Sequence, residues 1–169
     1  NQEHDFEILP DPRSEVSISQ MRLQFDFVNK VNATVDKAHK AIKNIRQIRK
    51  KLEEFDSNFS ENESVINLVE KAKQLNSSLT EIEKALYQTK NRSRQDPLNF
   101  PIKLTNKLGH LNSLVTNNDF PPTNQDELVR KELTAEVEKH ILKYQKLISQ
   151  DLKYFNEEFA SLNLDYLTV

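Results

Sequence analysis

Seven apolar residues in the middle of the chain follow one another at alternating steps of three and four positions. They are Val65, Leu68, Ala72, Leu75, Leu79, Ile82 and Leu86. Such steps bring side chains onto one face of an α-helix, and their strict alternation over three heptads is typical of coiled-coil packing. The pattern therefore predicts a helix over about residues 63–90 that buries one seam against neighbouring helices.

Three other segments show the same spacing less strictly, and they predict helices at about residues 17–55, 102–117 and 124–162. Gly109 is the single glycine of the chain, whereas sheet-rich proteins need glycine for hairpin turns and bulges. The sequence therefore predicts an all-α fold. In this fold residues 16–169 form one four-helix bundle, with long outer first and fourth helices and a short third helix.

The starts of the first and fourth helices carry the spacing of N-terminal caps. Ser17 is followed three positions later by Gln20, and Thr123 is followed in the same way by Asp126. In the first helix the predicted buried residues are Met21, Phe25, Val28, Val31, Val35, Ala38, Ile42, Ile45, Ile48, Leu52 and Phe55. In the fourth they are Val129, Leu133, Val137, Ile141, Tyr144, Ile148, Leu152, Phe155 and Phe159.

The connections between the helices predict their arrangement. Long helices with short loops pack as antiparallel neighbours, so we expect up-down-up-down order. This order places the turns at 56–62 and 118–123 at one end of the bundle and both chain ends at the other. The short third helix then leaves a groove. We expect the proline-containing segment 91–101 to run along the bundle and to bury Leu98 and Phe100 there.

The first 15 residues differ in pattern from the rest of the chain. Phe6 and Ile8 flank a glutamate, an alternation that is typical of a short strand. Pro10 and Pro12 then block both a helix and a strand ladder. We interpret residues 1–15 either as a linker or remnant strand from an upstream domain or as a disordered tail.

Composition and motifs argue against several classes of function. The formal net charge of −2 provides no overall attraction for nucleic acid. The chain has no cysteine, no glycine-rich phosphate loop, no Gly-x-Ser-x-Gly motif and no apolar run long enough to span a membrane. We therefore expect no catalytic, cofactor-binding or metal-binding residues, no nucleic-acid partner and no membrane span.

Two histidine-containing pairs have the spacing of metal ligands on a helix. Asp36 precedes His39 by three positions, and Glu136 precedes His140 by four. A di-iron bundle site needs Glu-x-x-His on two helices and carboxylates from two others, and this chain offers one such spacing, with Asp in place of Glu. We interpret His39 as a half-exposed rim residue. The second pair is interpreted as a surface contact in which the carboxylate raises the pKa of His140.

The second half of the first helix is strongly basic. Its basic residues are Lys37, Lys40, Lys43, Arg46, Arg49, Lys50 and Lys51. Such a run fits either a nucleic-acid or membrane-surface contact or a solvated face balanced by the acidic fourth helix. Aromatic residues do not interleave with these side chains, which favours the solvated face.

Three segments carry a resemblance to a known family. They are residues 87–108 (YQTKNRSRQDPLNFPIKLTNKL), 11–13 (DPR) and 119–123 (DFPPT). These segments resemble the C-terminal helical region of bacterial sortilin-like, neuraminidase-repeat (BNR) proteins, which are often labelled glycosyl hydrolases. The resemblance covers nearly the whole chain and is most specific in the first segment. It implies an upstream β-propeller and β-sandwich, export to the periplasm or cell surface, and hydrolase activity in the propeller rather than in this chain.

The first functional hypothesis is a non-catalytic C-terminal scaffolding or interaction module, whose partner is another protein or the upstream domains of the same polypeptide. Its exposed polar candidates are Arg92, Arg94, Asp96 and Asn99. Alternatively, their loop only packs the groove and caps helix ends. The second hypothesis is a self-associating module that pairs through the seam of the second helix or through Leu162, Leu164, Tyr166 and Leu167. A helical-bundle enzyme is the third.

Overall fold

The computed structural model of the chain describes residues 3–162, and these residues form helices, turns and loops without a β-strand. The helices are α1 (Ile18–Phe59), α2 (Ile66–Leu86), α3 (Leu104–Val115), α4 (Asn124–Lys146) and α5 (Lys153–Ser161). A π-helical segment, Leu147–Leu152, joins α4 to α5, and short 3-10 turns lie at Glu63–Val65 and Asp96–Leu98. The predicted all-α class is confirmed.

Local sequence determines where α1 and α4 begin, and both predicted caps are confirmed. The Ser17 hydroxyl accepts from the backbone N–H of Gln20, and Gln20 Oε1 accepts from the backbone N–H of Ser17 at 2.9 Å. Thr123 and Asp126 make the same reciprocal pair, with the backbone N–H of Thr123 donating to Asp126 Oδ2 at 2.8 Å. These bonds satisfy backbone donors that a helix start otherwise leaves unpaired.

The predicted seam of α2 is buried along its whole length, with each of its seven side chains no more than 6% exposed. Val69, which follows seam residue Leu68, is also fully buried. Because Glu83 beside the seam is buried as well, the buried face of α2 is wider than the seam, and α2 packs against both α1 and the α4–α5 helix. The seam therefore packs within the chain, and the hypothesis that it pairs two copies is wrong. Leu164, Tyr166 and Leu167 lie outside the described residues.

Contacts along α1 establish how the long helices run. Lys37 Nζ lies 2.5 Å from Glu138 Oε2, and the Phe55 ring meets the Phe155 ring edge-on, with centroids 5.3 Å apart. Residue numbers rise together in these two contacts, so α1 and the α4–α5 helix run in the same direction. The predicted up-down-up-down order places them in opposite directions and is therefore wrong.

The second and third helices both run against α1. Arg46 of α1 pairs with Glu83 and Asp56 pairs with Lys73, so residue numbers fall along α2 as they rise along α1. In the same way α3 approaches the start of α1, where Asn112 Nδ2 donates to Asn32 Oδ1 at 2.9 Å.

The start of α3 lies at the end of α2, because Thr105 Oγ1 donates to the Leu86 carbonyl at 2.9 Å. The two helices therefore form one interrupted leg of the bundle, which we call the α2–α3 leg. The five α-helices of residues 3–162 thus pack as three legs.

This arrangement also changes where the connections lie. Gln24, near the start of α1, donates to the Asn118 carbonyl at 2.5 Å, so the turn at 118–123 lies at that end. At the opposite end Phe55 contacts Phe159 of α5. The prediction that both turns lie at one end is wrong because it assumed that every connection reverses the chain. The start of α1 and the end of α5, which it placed together, lie at opposite ends. The segment 87–103 instead leaves the α2–α3 leg and returns to it.

The buried face of α1 differs from the prediction near its start. Phe25 is 64% exposed, whereas Phe27 is 2% exposed and begins the buried stripe. From Phe27 the steps to Val31, Thr34 and Ala38 alternate four and three, and Phe25 lies on the other side of the helix. In α4 the predicted core residue Val129 is 41% exposed and is likewise outside the core. The apolar spacing predicted the helices correctly, but the buried stripes of α1 and α4 begin a few residues later than predicted.

Candidate functional site

The loop between α2 and α3, residues 87–103, is the longest irregular segment between helices in the described part of the chain. Its base is closed by Gln88, a buried side chain that is 6% exposed. Gln88 Nε2 donates to the Pro101 carbonyl at 2.7 Å, and its Oε1 accepts from the backbone N–H of Lys90 at 3.1 Å. Because both ends of the loop are tied at one place, the loop projects from the bundle rather than running along it.

A carboxylate organises the tip of this loop. Asp96 Oδ2 accepts from the backbone N–H groups of Arg92 and Ser93 at 2.5 and 2.7 Å, and Oδ1 accepts from Ser93 Oγ at 2.6 Å. The hydroxyl of Ser93 first, and then the two backbone N–H groups, lower the pKa of Asp96 below its ordinary value. Asp96, a predicted interaction residue, therefore holds the loop in shape.

The other three predicted interaction residues, Arg92, Arg94 and Asn99, are exposed. None of their side chains makes an ion pair or a hydrogen bond with another described residue. Leu98 lies beside Asn99 and is 88% exposed, so the prediction that it fills a groove is wrong. The groove does not form because α3 continues the leg of α2. Phe100 is half-buried, with Lys90 Nζ 5.5 Å from its ring centroid.

The loop and the helix ends beside it form a local concentration of positive charge in a chain whose net charge is −2. Between residues 84 and 107 there are six basic residues and one acidic residue, Asp96. The basic residues are Lys84, Lys90, Arg92, Arg94, Lys103 and Lys107. Because six positive charges outnumber the single carboxylate here, this surface attracts negatively charged groups.

A buried ion cluster that sequence reasoning missed lies next to this loop. The Glu83 carboxylate of α2 is buried, with its side chain 3% exposed. Arg46 Nε donates to Glu83 Oε1 at 2.6 Å, and Arg49 Nη1 donates to Oε2 at 2.8 Å. Arg49 Nε also donates to Asn76 Oδ1 at 2.8 Å, and Arg46 stacks over the ring of Tyr87, the first residue of the loop. The cluster fixes α1 against the end of α2 from which the loop departs.

A sequence signal for this cluster exists. Val69, Asn76 and Glu83 follow one another at seven-residue steps beside the seam, so they share one face of α2. Arg46 and Arg49 stand three apart and share a face of α1. A carboxylate that flanks a heptad seam, with two arginines on one face of a neighbouring helix, would have indicated the pairing.

The rest of the basic half of α1 is largely paired with acids. Lys37 pairs with Glu138 of α4, and Lys40 pairs with Asp36 in its own helix at 2.7 Å. Lys50 lies 3.7 Å from Glu54. These acids belong to α1 and α4, and Glu83 of α2 pairs with the two arginines, so the acids that balance this face come from three helices rather than from α4 alone.

The two histidine pairs do not form ligand sets. His39 is exposed, and its ring lies 6.0 Å from that of Tyr87. Burial, followed by the charge of Lys143, lowers the pKa of His140 despite the opposing effect of Glu136. Glu136 does raise this pKa as predicted, but partial burial and Lys143 together outweigh the carboxylate, so the net shift is downward. Within residues 3–162, no group of three or more potential ligands is placed to hold a metal ion.

Among the helices of the described residues, none combines the length and the apolar composition that crossing a membrane requires. The chain matches no family model, no curated protein and no solved structure.

Proposed function

We propose that the chain is a non-catalytic protein-interaction module and that the loop 87–103 is its binding surface. One observation carries this proposal: Leu98 is 88% exposed at the tip of a loop that is internally hydrogen-bonded. The side chains of Arg92 and Arg94 are exposed close to it in sequence and have no partner among the described residues. Arginine beside an exposed apolar residue is a composition that protein interfaces favour.

The order of the loop supports binding energetically. Asp96 fixes the tip and Gln88 closes the base, so little conformational freedom remains to be lost when a partner binds. The excess of basic residues favours a partner with an acidic surface, because complementary charge speeds association and disfavours other partners. The proposed partner is therefore a protein whose acidic surface surrounds an apolar depression for Leu98.

The resemblance to sortilin-like, BNR-repeat proteins gives this module its proposed setting. Its most specific segment, 87–108, coincides with the loop and the first turn of α3. We propose that the chain is the C-terminal helical module of a larger exported protein, periplasmic or on the cell surface, whose hydrolase activity would lie in an upstream propeller. Ile18, Phe25 and Phe120 are 61%, 64% and 63% exposed near the start of α1, where an upstream domain could cover them.

The proposal is tested by photo-crosslinking in the full-length protein in its native cells. A photo-reactive amino acid at Leu98 is expected to give one discrete adduct with a partner protein. The double substitution Arg92→Ser and Arg94→Ser is expected to abolish that adduct. The same photo-reactive amino acid at Leu142, which is 63% exposed on α4, serves as the matched control. No adduct from Leu98, or the same adducts from both positions, would contradict the proposal.

The stability of the arginine variant separates binding from a purely structural role. Because the side chains of Arg92 and Arg94 are exposed and make no hydrogen bond or ion pair with a described residue, the free energy of unfolding of the variant is expected to lie within about 0.5 kcal/mol of that of the parent chain. Urea titration followed by circular dichroism measures this. A variant that unfolds the bundle would instead assign the loop to packing alone.

A further inference from the structure

A small pocket lies between the end of α2 and the base of the loop 87–103. Its volume is about 280 Å³. The lining residues are Lys84, Gln88, Thr89, Lys90, Phe100, Pro101 and Lys103. Cavities for drug-sized ligands are usually larger than this, so the pocket fits one side chain or a very small molecule.

Every charged side chain that lines the pocket is a lysine. Lys84 is already engaged, because its Nζ lies 3.1 Å from Glu81 Oε1. Lys90 and Lys103 have no carboxylate partner among the described residues, and Lys103 is half-buried. Two lysines that line one pocket without a carboxylate partner favour an incoming anion, since the pocket walls reduce the screening of the attraction by water.

A second groove with basic lining residues differs from this pocket in the signs of the charges that line it. This groove, of about 650 Å³, lies between α2 and α4 and is lined by His140, Lys143 and Lys146. Glu81 and Asp151 also line it, so its charges are mixed and it has no clear preference for one sign. The loop pocket is smaller and contains charge of one sign.

We propose that this pocket binds the carboxylate of an aspartate or glutamate side chain of the partner protein, between Lys90 and Lys103. The inference rests on the proposed function, because it specifies which group of the partner enters the base of the loop while Leu98 contacts the partner at the tip. The Phe100 ring and the methylene groups of the lysines would contact the methylenes of that acidic side chain.

The test uses this chain, labelled with ¹⁵N, and a blocked diglutamate peptide as the probe. Titration is expected to shift the backbone amide signals of Gln88, Thr89 and Lys90. The double substitution Lys90→Gln and Lys103→Gln is expected to weaken binding about tenfold, as the loss of two partly solvated charge contacts should. Raising the ionic strength is expected to weaken binding in the parent chain.

Matched controls make the result specific. The double substitution Lys143→Gln and Lys146→Gln removes the same charge from the mixed groove and is expected to leave binding unchanged. A blocked diglutamine peptide is expected to give no shifts, and inorganic phosphate is expected to bind more weakly than diglutamate. Equal weakening in both lysine variants, absent shifts, equal binding of diglutamine, or tighter binding of phosphate would overturn the assignment.

The two proposals fail in distinguishable ways. If diglutamate binds as expected but Leu98 gives no crosslinked partner, the pocket stands as a carboxylate site and the proposed function fails. If Leu98 crosslinks to a partner while diglutamate leaves the amide signals unmoved, the loop is a binding surface and the pocket assignment fails alone.

Discussion

Replacing both Arg46 and Arg49 with methionine is expected to lower the free energy of unfolding by about 3 kcal/mol, near the lower end of the range for breaking a buried ion pair. Methionine keeps the length and apolar contacts of the arginine stem but removes both guanidinium groups. The Glu83 carboxylate, with its side chain 3% exposed, is then left without either cation. The side chain of Arg46 is 54% exposed in the parent, so water reaches the vacated space and limits the loss.

The urea midpoint of this variant is compared with the midpoints of two further variants. Adding Glu83→Leu to the double variant removes the stranded charge, and we expect stability to return to within about 1 kcal/mol of the parent. The control, Lys40→Met with Lys50→Met, removes two exposed pairs from the same helix and is expected to cost under about 1 kcal/mol. A loss as small in the arginine variant as in the control would show that the cluster contributes little.

Substituting Leu86 with alanine is expected to lower the free energy of unfolding by about 3 kcal/mol, within the range measured for buried leucines. Leu86 is 0% exposed and is the last residue of α2. Its carbonyl accepts the hydrogen bond from Thr105 that joins the two helices of the α2–α3 leg. The substitution therefore leaves a cavity at the joint where α2 meets α3. Because the whole bundle loses stability, we expect the amide hydrogens of α3 to exchange faster.

Leu98→Ala is the matched control, because it is the same substitution in the loop next to the joint. Leu98 is 88% exposed, so its removal is expected to change stability by less than about 0.5 kcal/mol. Chemical denaturation of the two variants under identical conditions gives the comparison. Similar losses at both positions would contradict the structure at the joint.

Much of the local structure of this chain could be predicted from its sequence. The seam from Val65 to Leu86 is buried throughout, and the caps at Ser17 and Thr123 form as predicted. These features depend on residues three or four positions apart, whose geometry a helix fixes by itself. Spacing and capping therefore indicate that the helices form, but not where each one ends, because α1 continues to Phe59 instead of ending at residue 55, and α2 ends at Leu86 instead of residue 90.

The direction of the helices could not be predicted in this way. Apolar spacing shows which face of a helix is buried, but the same face packs equally well against a parallel or an antiparallel neighbour. Only the connections between helices decide the direction in which the next helix runs. The segment 87–103 is long enough either to reverse the chain or to return it to the axis of α2. The observed choice depends on Thr105 meeting the end of α2, a contact between residues that no local rule links.

The exposure of the candidate interaction residues was predicted only in part. The exposure of Arg92, Arg94 and Asn99 was predicted correctly, whereas Asp96 binds its own loop and Leu98 points into solvent. Both differences follow from the closed base of the loop, which depends on Gln88, a residue with no distinctive sequence pattern. Buried Glu83 was missed because a single carboxylate beside a seam is usually a solvated flank.

The arrangement of three legs is the claim on which the account of the loop depends, because it places 87–103 outside the bundle instead of inside a groove. Spin labels test it directly, and the absence of cysteine allows both to be introduced at chosen sites. The substitutions are Asp26→Cys near the start of α1 and Glu157→Cys on α5. Glu157 lies two residues after Phe155, which contacts Phe55 of α1. At 1.5 Å per residue along α1, we predict a backbone separation of about 44 Å by double electron–electron resonance. A separation below roughly 20 Å, as two antiparallel neighbouring helices with packed axes would give, would contradict the account.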